Sequence, residues 1–140
     1  MSFRLRLIGL STSALLGLCQ LAIAADGPVV VVDGKSPASK LSPEQVNAIL
    51  LMRVKNLPGA GNAQLVVVAA RKSSLLSVMG KSDDQARAIW ARQVFSGGGS
   101  PPLEVGSVAE AKKLLQSNPN ALVLIDANDV DDSMKVICNY

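Results

Sequence analysis

The hydrophobic positions of this chain fall into short runs of consecutive apolar residues, separated by longer segments with helical spacing. The run 28–33, PVVVVD, is a β-branched stretch typical of a strand that is covered on both faces. Similar runs at 64–70 and 121–125 predict two more buried strands, and 134–138 predicts a short final strand. The pattern therefore predicts a sheet whose strands are separated along the chain by helices.

Capping patterns predict where the helices begin. The segment 41–45, LSPEQ, offers an N-cap serine, a proline suited to the first helical position and a glutamine that can close a capping box. An N-cap serine with a glutamine or glutamate three residues later recurs at 82–85, SDDQ, and at 107–110, SVAE. Between the first two, a short helix is predicted from about Ser74 to Met79, ending before Gly80.

The alternation of strands with helices predicts an α/β fold with a mainly parallel sheet flanked by helices, because parallel neighbours require crossover connections. The N-terminal segment has a different character: Arg4 and Arg6 precede an apolar core, and Ala22-Ile23-Ala24 forms a small-residue cleavage site. This pattern predicts a secretory signal peptide at 1–24 that is cut after Ala24. Residues 25–140 are then expected to form a single domain.

Charge and cysteine content narrow the classes of function that are open to this chain. The formal net charge is +3, and two of the basic residues belong to the predicted signal peptide. The remaining charges are dispersed and the few aromatic residues form no stacking series, so nucleic-acid binding is not predicted. Cys138 is the only cysteine outside the signal peptide, which excludes an intramolecular disulfide in the secreted domain. A disulfide to another chain through Cys138 stays open.

The chain contains no histidine. A Ser-His-Asp triad, a Cys-His pair and a histidine-containing zinc site therefore cannot be built. The acidic residues cluster near the ends of predicted elements, where helix caps are their ordinary role. The acidic segment 126–132 lacks the glycine and the bidentate glutamate of a calcium loop. We predict a protein that is not an enzyme and that has no cofactor and no metal site.

The segment 89–102, IWARQVFSGGGSPP, resembles the "YWAR..F(S/T)G.G.PP" signature of small periplasmic proteins related to phosphate transporter substrate-binding proteins. The segment 41–45 is similar to their "LS.E.." helix start, 57–59 to their "WP.G" turn and 121–126 to their closing strand. The resemblance implies a single-lobe sandwich, similar to one lobe of a type 2 periplasmic binding protein, and it implies periplasmic localisation.

The resemblance also implies a place for a ligand. In the full-length relatives, a strand leads into an Arg-x-x-x-Ser-Gly-Thr turn that holds the anion at the start of a helix. The segment 66–74, VVVAARKSS, occupies the same place here, so the implied ligand-binding residues are Arg71, Ser73 and Ser74. A guanidinium, hydroxyl groups and free amides together can hold phosphate or another small oxyanion. The implied function is non-catalytic oxyanion binding or an accessory role in transport.

Two other interpretations stay open at this stage. Leu75 and Leu76 stand where the Gly-Thr pair would follow, and one lobe supplies only half of a two-lobed site. These departures favour an alternative function, a protein-interaction adaptor that has lost ligand binding and contacts a periplasmic or membrane protein. The third interpretation is structural: the segment 71–74 is a solvated turn with a serine that caps the next helix.

Overall fold

A computed structural model describes residues 27–140, so the predicted signal peptide and its cleavage site lie outside the described residues. The helices are α1 (Pro43–Leu50), α2 (Lys72–Met79), α3 (Asp83–Phe95) and α4 (Val108–Ser117). The strands are β1 (Pro28–Asp33), β2 (Asn56–Leu57), β3 (Gly61–Asn62), β4 (Gln64–Val68), β5 (Leu103–Val105), β6 (Ala121–Asp126) and β7 (Met134–Asn139). Within 27–140, no helix has the length and apolar character needed to cross a bilayer.

The main sheet has the strand order β5-β4-β6-β1-β7. Strand β4 runs parallel to both β5 and β6, whereas β1 runs antiparallel to β6 and β7. Four of the five strands therefore point in the same direction, and the predicted α/β class with a mainly parallel sheet is confirmed. Strands β2 and β3 form a separate two-stranded hairpin.

Helices cover both faces of the sheet, as the apolar strand runs predict. Val30 and Val32 of β1 pack in a core with α1, α2 and α3, while Val29 and Val31 pack in a second core with α4. Successive side chains of a strand point to opposite faces, so one continuous apolar run fills both cores.

Two predicted capping boxes are confirmed. The hydroxyl of Ser42 accepts a hydrogen bond from the Gln45 amide at 3.2 Å, and the Gln45 side chain accepts one from the Ser42 amide at 2.9 Å. Ser82 and Gln85 make the same reciprocal pair at 3.2 and 3.0 Å. These boxes fix the starts of α1 and α3 by satisfying amides that an isolated helix start leaves open.

The third predicted box forms only in half. Ser107 caps α4 by accepting from the Glu110 amide at 3.2 Å. The Glu110 carboxylate does not return to Ser107 and accepts from the Gly106 amide at 2.9 Å instead. The reason is local: Glu110 reaches one residue further back, to an amide just outside the helix. The prediction of the helix start is right, and that of the reciprocal bond is wrong.

The junction after β4 also differs from the prediction. The strand ends at Val68 rather than at residue 70, and a 3-10 turn (Ala69–Arg71) leads directly into α2 at Lys72. Valine favours extended backbone and alanine has the highest helix propensity, so the chain becomes helical as soon as the valines end. Ser74 therefore lies inside the first turn of α2 and does not cap it.

Candidate functional site

The strand order brings the ends of β4 and β6 together. Arg71 follows β4 within three residues, and Asp126 is the last residue of β6. Because these strands are parallel neighbours, their carboxyl ends lie at the same edge of the sheet. This edge is where open α/β sheets bind ligands.

Arg71 is held at this edge by two carboxylates. Its Nε and Nη2 atoms donate to Asp129 Oδ2 at 3.1 and 2.7 Å, and Nε lies 3.2 Å from Asp126 Oδ2. The hydrogen bonds to Asp129 raise the pKa of Arg71 above its usual value. Among residues 27–140, Nη1 donates no hydrogen bond. The guanidinium is thus fixed along one side and open along the other.

Helix α2 begins without a side-chain cap, unlike the other three helices. Ser42, Ser82 and Ser107 cap α1, α3 and α4, but no side chain accepts a hydrogen bond at the start of α2. The Lys72 amide is already used, since it donates to the Ala69 carbonyl. The open amides of an uncapped helical segment lie in its first turn. Here that turn begins at Ala69, upstream of the predicted serines.

The two predicted serines differ in their relation to Arg71. Ser74 lies three residues after Arg71, a spacing that places both on one helix face, whereas Ser73 lies two residues after it and faces elsewhere. Within the described part of the chain, neither hydroxyl makes a hydrogen bond to protein. Leu75 is buried in the core, so it does not cover the exposed Ser73. Helical spacing therefore places Ser74 on the same face as Arg71, and Ser73 on another.

Further charged residues, which the sequence analysis did not assign to the site, surround the junction. Lys72 Nζ lies 3.0 Å from Asp83 Oδ1 and 3.6 Å from Glu104 Oε1. The neighbouring Lys72 ammonium lowers the pKa of Asp83 below its usual value. The cluster also includes Arg87, whose Nη2 lies 3.1 Å from Asp83 Oδ2. Arg87 and Asp83 lie one turn apart within α3, whereas the contacts of Lys72 join α2 to α3 and to β5, and local sequence patterns do not show such contacts.

The formal charge of this edge is slightly negative. Three cations face four carboxylates: Arg71, Lys72 and Arg87 against Asp83, Glu104, Asp126 and Asp129. An anion here would meet no net positive field. Its binding must come from hydrogen-bond donors that contact it directly. At contact distance, each such donor has a larger effect than the net charge of the surrounding residues.

The described fold is similar to solved phosphate receptors. A crystal structure of an ABC-type phosphate transport receptor from Vibrio cholerae matches at 25% identity and a TM-score of 0.62, over 80% of this chain and 45% of that one. The predicted resemblance is confirmed. A phosphate ABC transporter substrate-binding protein from Clostridium perfringens, solved with bound phosphate, matches at 18% identity and a TM-score of 0.62. PstS from Borrelia burgdorferi matches at 13% identity and a TM-score of 0.52.

These receptors are longer than this chain. The last two matches each cover 80% of this chain, but the chain spans only 44% and 46% of their length. No protein-family model and no curated protein matches the sequence. The likeness therefore concerns one domain, with the α/β architecture of a part of a phosphate receptor.

Proposed function

We propose that this chain is a non-catalytic, periplasmic protein that binds phosphate or a similar small oxyanion at the junction of β4 and α2, in an accessory role in transport. The similarity to phosphate receptors supports the ligand class. The observation that carries the proposal is the geometry of Arg71, which two aspartates fix along one side. A guanidinium held in this way loses little freedom when it binds an anion with its open nitrogen.

The aspartates also define which oxyanion fits. An ionised carboxylate only accepts hydrogen bonds, so it can contact a protonated oxyanion but repels one that carries no proton. Asp126 and Asp129 stand beside the proposed donor Arg71. Hydrogenphosphate carries a proton at neutral pH and sulfate does not. The proposed site should therefore prefer phosphate to sulfate.

Calorimetric titration of residues 25–140 with phosphate and with sulfate tests this function. We expect binding at millimolar phosphate and weaker binding of sulfate. Arg71→Gln should weaken phosphate binding at least about tenfold, since hydrogen bonds to charged groups contribute about 1.5 to 3 kcal/mol. Ser74→Ala should weaken it less and Ser73→Ala least.

Arg92→Gln is the matched control, because Arg92 is exposed on α3 and has no ion pair among residues 27–140. Its phosphate affinity should equal that of the wild type. Absence of heat at millimolar phosphate, or equal losses in the Arg71 and Arg92 variants, would contradict the proposed site.

A second candidate function is protein interaction, and one surface favours it. Phe95 is 96% exposed at the end of α3. It borders an apolar groove of about 440 Å³ whose other lining residues are Arg87, Trp90, Ala91, Val94, Pro101 and Pro102. An exposed aromatic residue beside an apolar groove is typical of a protein-binding surface. The alternative proposal is therefore an adaptor that uses this groove to contact a periplasmic or membrane protein.

Cross-linking in an envelope extract tests the adaptor proposal. The wild-type protein should give a discrete cross-linked product, and Phe95→Ser should abolish it because the contact loses its aromatic residue. Val54→Ser is the control, since Val54 is also an exposed hydrophobic residue but lies outside the groove. A product that forms equally in all three proteins would count against the groove as the interface.

A further inference from the structure

A second cleft lies at the edge of the sheet opposite to Arg71. It encloses about 220 Å³, next to the amino ends of β4 and β6. Such a volume is below the range of about 300 to 1,000 Å³ that is typical of drug-sized ligands, so it suits a small molecule. Its lining residues are Ile49, Met52, Val54, Lys55, Asn62, Ala63, Gln64, Leu65, Gly97, Gly98, Gly99, Ser100 and Asn120.

The cleft carries one formal charge, and that charge is positive. Lys55 is the only ionisable residue in the lining. Among residues 27–140, no carboxylate lies within ion-pair distance of its ammonium group. The edge beside Arg71 differs, because each cation there already has a carboxylate partner. Lys55 is thus available to pair with a single negative charge on a ligand.

The end of α1 beside the cleft does not cancel this charge. A helix C-terminus carries partial negative charge on its unpaired carbonyl groups. In α1 the four relevant carbonyls are all engaged, since each accepts a hydrogen bond from a backbone amide or from the Trp90 indole; they belong to Asn47, Ala48, Ile49 and Leu50. The backbone amides of Gly99 and Ser100, by contrast, donate to no acceptor within the described residues. The lining therefore offers free donors beside Lys55.

One wall of the cleft contains a residue with a strained, left-handed backbone conformation. Helices α2 and α3 are followed by Gly80 and Gly97, whose φ angles of 64° and 77° are left-handed. Helix α1 makes the same kind of terminal turn, in which the Arg53 amide donates to the Ala48 carbonyl, but Met52 holds the left-handed position at φ 57°. Left-handed backbone is unfavourable for a residue with a side chain, and such residues cluster at functional sites.

A glycine at position 52 would remove the backbone strain, but it would also lack the side chain that forms part of the wall. Met52 is 8% exposed and forms part of the apolar wall of the cleft. Its Cε atom lies 3.1 Å from the place where a Cβ atom on Gly99 would stand. The wall and the glycine loop therefore fit against each other, and a side chain at residue 99 would press on the wall.

We propose that this cleft binds a small monocarboxylate with a short apolar chain. Lys55 pairs with the carboxylate, and the amides of Gly99 and Ser100 supply further donors. The apolar chain packs on Met52 and Leu65. One cation matches one negative charge, and the mixed lining favours an amphipathic ligand over a fully hydrated inorganic ion.

Titration with butyrate, followed by ligand-observed NMR, tests the proposal. Butyrate should bind, and the uncharged analogue 1-butanol should bind at least about tenfold more weakly. Lys55→Gln should reduce butyrate affinity at least about tenfold. Lys113→Gln, which removes an exposed lysine on α4, should leave it unchanged. Absence of butyrate binding at tens of millimolar, or equal binding of butanol, would overturn the proposal.

A second variant distinguishes a loss of butyrate binding from a loss of folding. Val54 is 45% exposed and lines the cleft, so Val54→Asp adds a negative charge beside Lys55 with little effect on packing. It should reduce butyrate binding at least as much as Lys55→Gln. Both variants should keep the wild-type affinity for phosphate, because the junction at Arg71 lies at the opposite edge. Butyrate affinity that is unchanged in both variants would refute the assignment of this cleft.

Discussion

Replacing Trp90 with alanine is expected to lower the free energy of unfolding by about 3 to 5 kcal/mol, the range for truncation of a large buried aromatic residue. Trp90 is 7% exposed and belongs to the core formed by α1, α2 and α3. Its Nε1 atom donates to the Leu50 carbonyl at 2.8 Å. The indole thus joins α3 to the end of α1 by packing and by a buried hydrogen bond. Denaturant midpoints would measure the loss.

Two controls separate these contributions. Trp90→Phe keeps most of the packing but leaves the Leu50 carbonyl without this donor, so we expect a loss of about 1 to 3 kcal/mol. Phe95→Ala removes an aromatic residue from the same helix at a position that is 96% exposed, and it should change stability by less than about 0.5 kcal/mol. A large loss in Phe95→Ala, or none in Trp90→Ala, would contradict the packing seen here.

Gly59→Ala is expected to destabilise the fold by about 2 to 5 kcal/mol, because left-handed backbone contributes about 1 to 2 kcal/mol and overpacking about 1 to 3 kcal/mol. Gly59 lies in the turn between β2 and β3 with a φ angle of 87°. A Cβ atom there would stand 2.7 Å from the carbonyl oxygen of Pro37. That oxygen belongs to the backbone between β1 and α1, so it cannot move aside as a flexible side chain would.

Gly61→Ala is the matched control for this prediction. Gly61 lies in the same hairpin at a φ angle of 81°, but nothing lies within 4 Å of its Cβ position. It should lose only about 1 to 2 kcal/mol from backbone strain. The difference between the two variants in thermal or chemical unfolding measures the close approach to Pro37. Equal losses would show that this contact does not contribute.

The family-like segment 89–102 shows why motif resemblance does not assign roles to residues. Its two aromatic residues are separated by only five positions, yet Trp90 is a core residue and Phe95 is almost fully exposed. The exposure of Phe95 was not predicted, because helical spacing gives a relative direction for each residue and the position of the neighbouring loop decides what is covered.

Much of the architecture was determined by the sequence alone. Apolar runs without alternation required strands covered on both faces, and serine caps followed by glutamine fixed the starts of α1 and α3. These signals are local, since they depend on backbone sterics and on amides within one turn. They sufficed for the α/β class, whereas the resemblance to phosphate receptors rested on the motif at 89–102. They also placed Arg71, Ser73 and Ser74 at a strand-to-helix junction.

The surroundings of that junction were decided only by the tertiary structure. Asp126 and Asp129 reach Arg71 because β6 pairs with β4, although 55 residues or more separate them along the chain. Lys55, Met52 and the glycine loop meet in one cleft for a similar reason. Strand order and helix packing arise from the sum of many weak, non-directional apolar contacts. No short segment encodes that sum, and so no motif could have shown which charges would face each other.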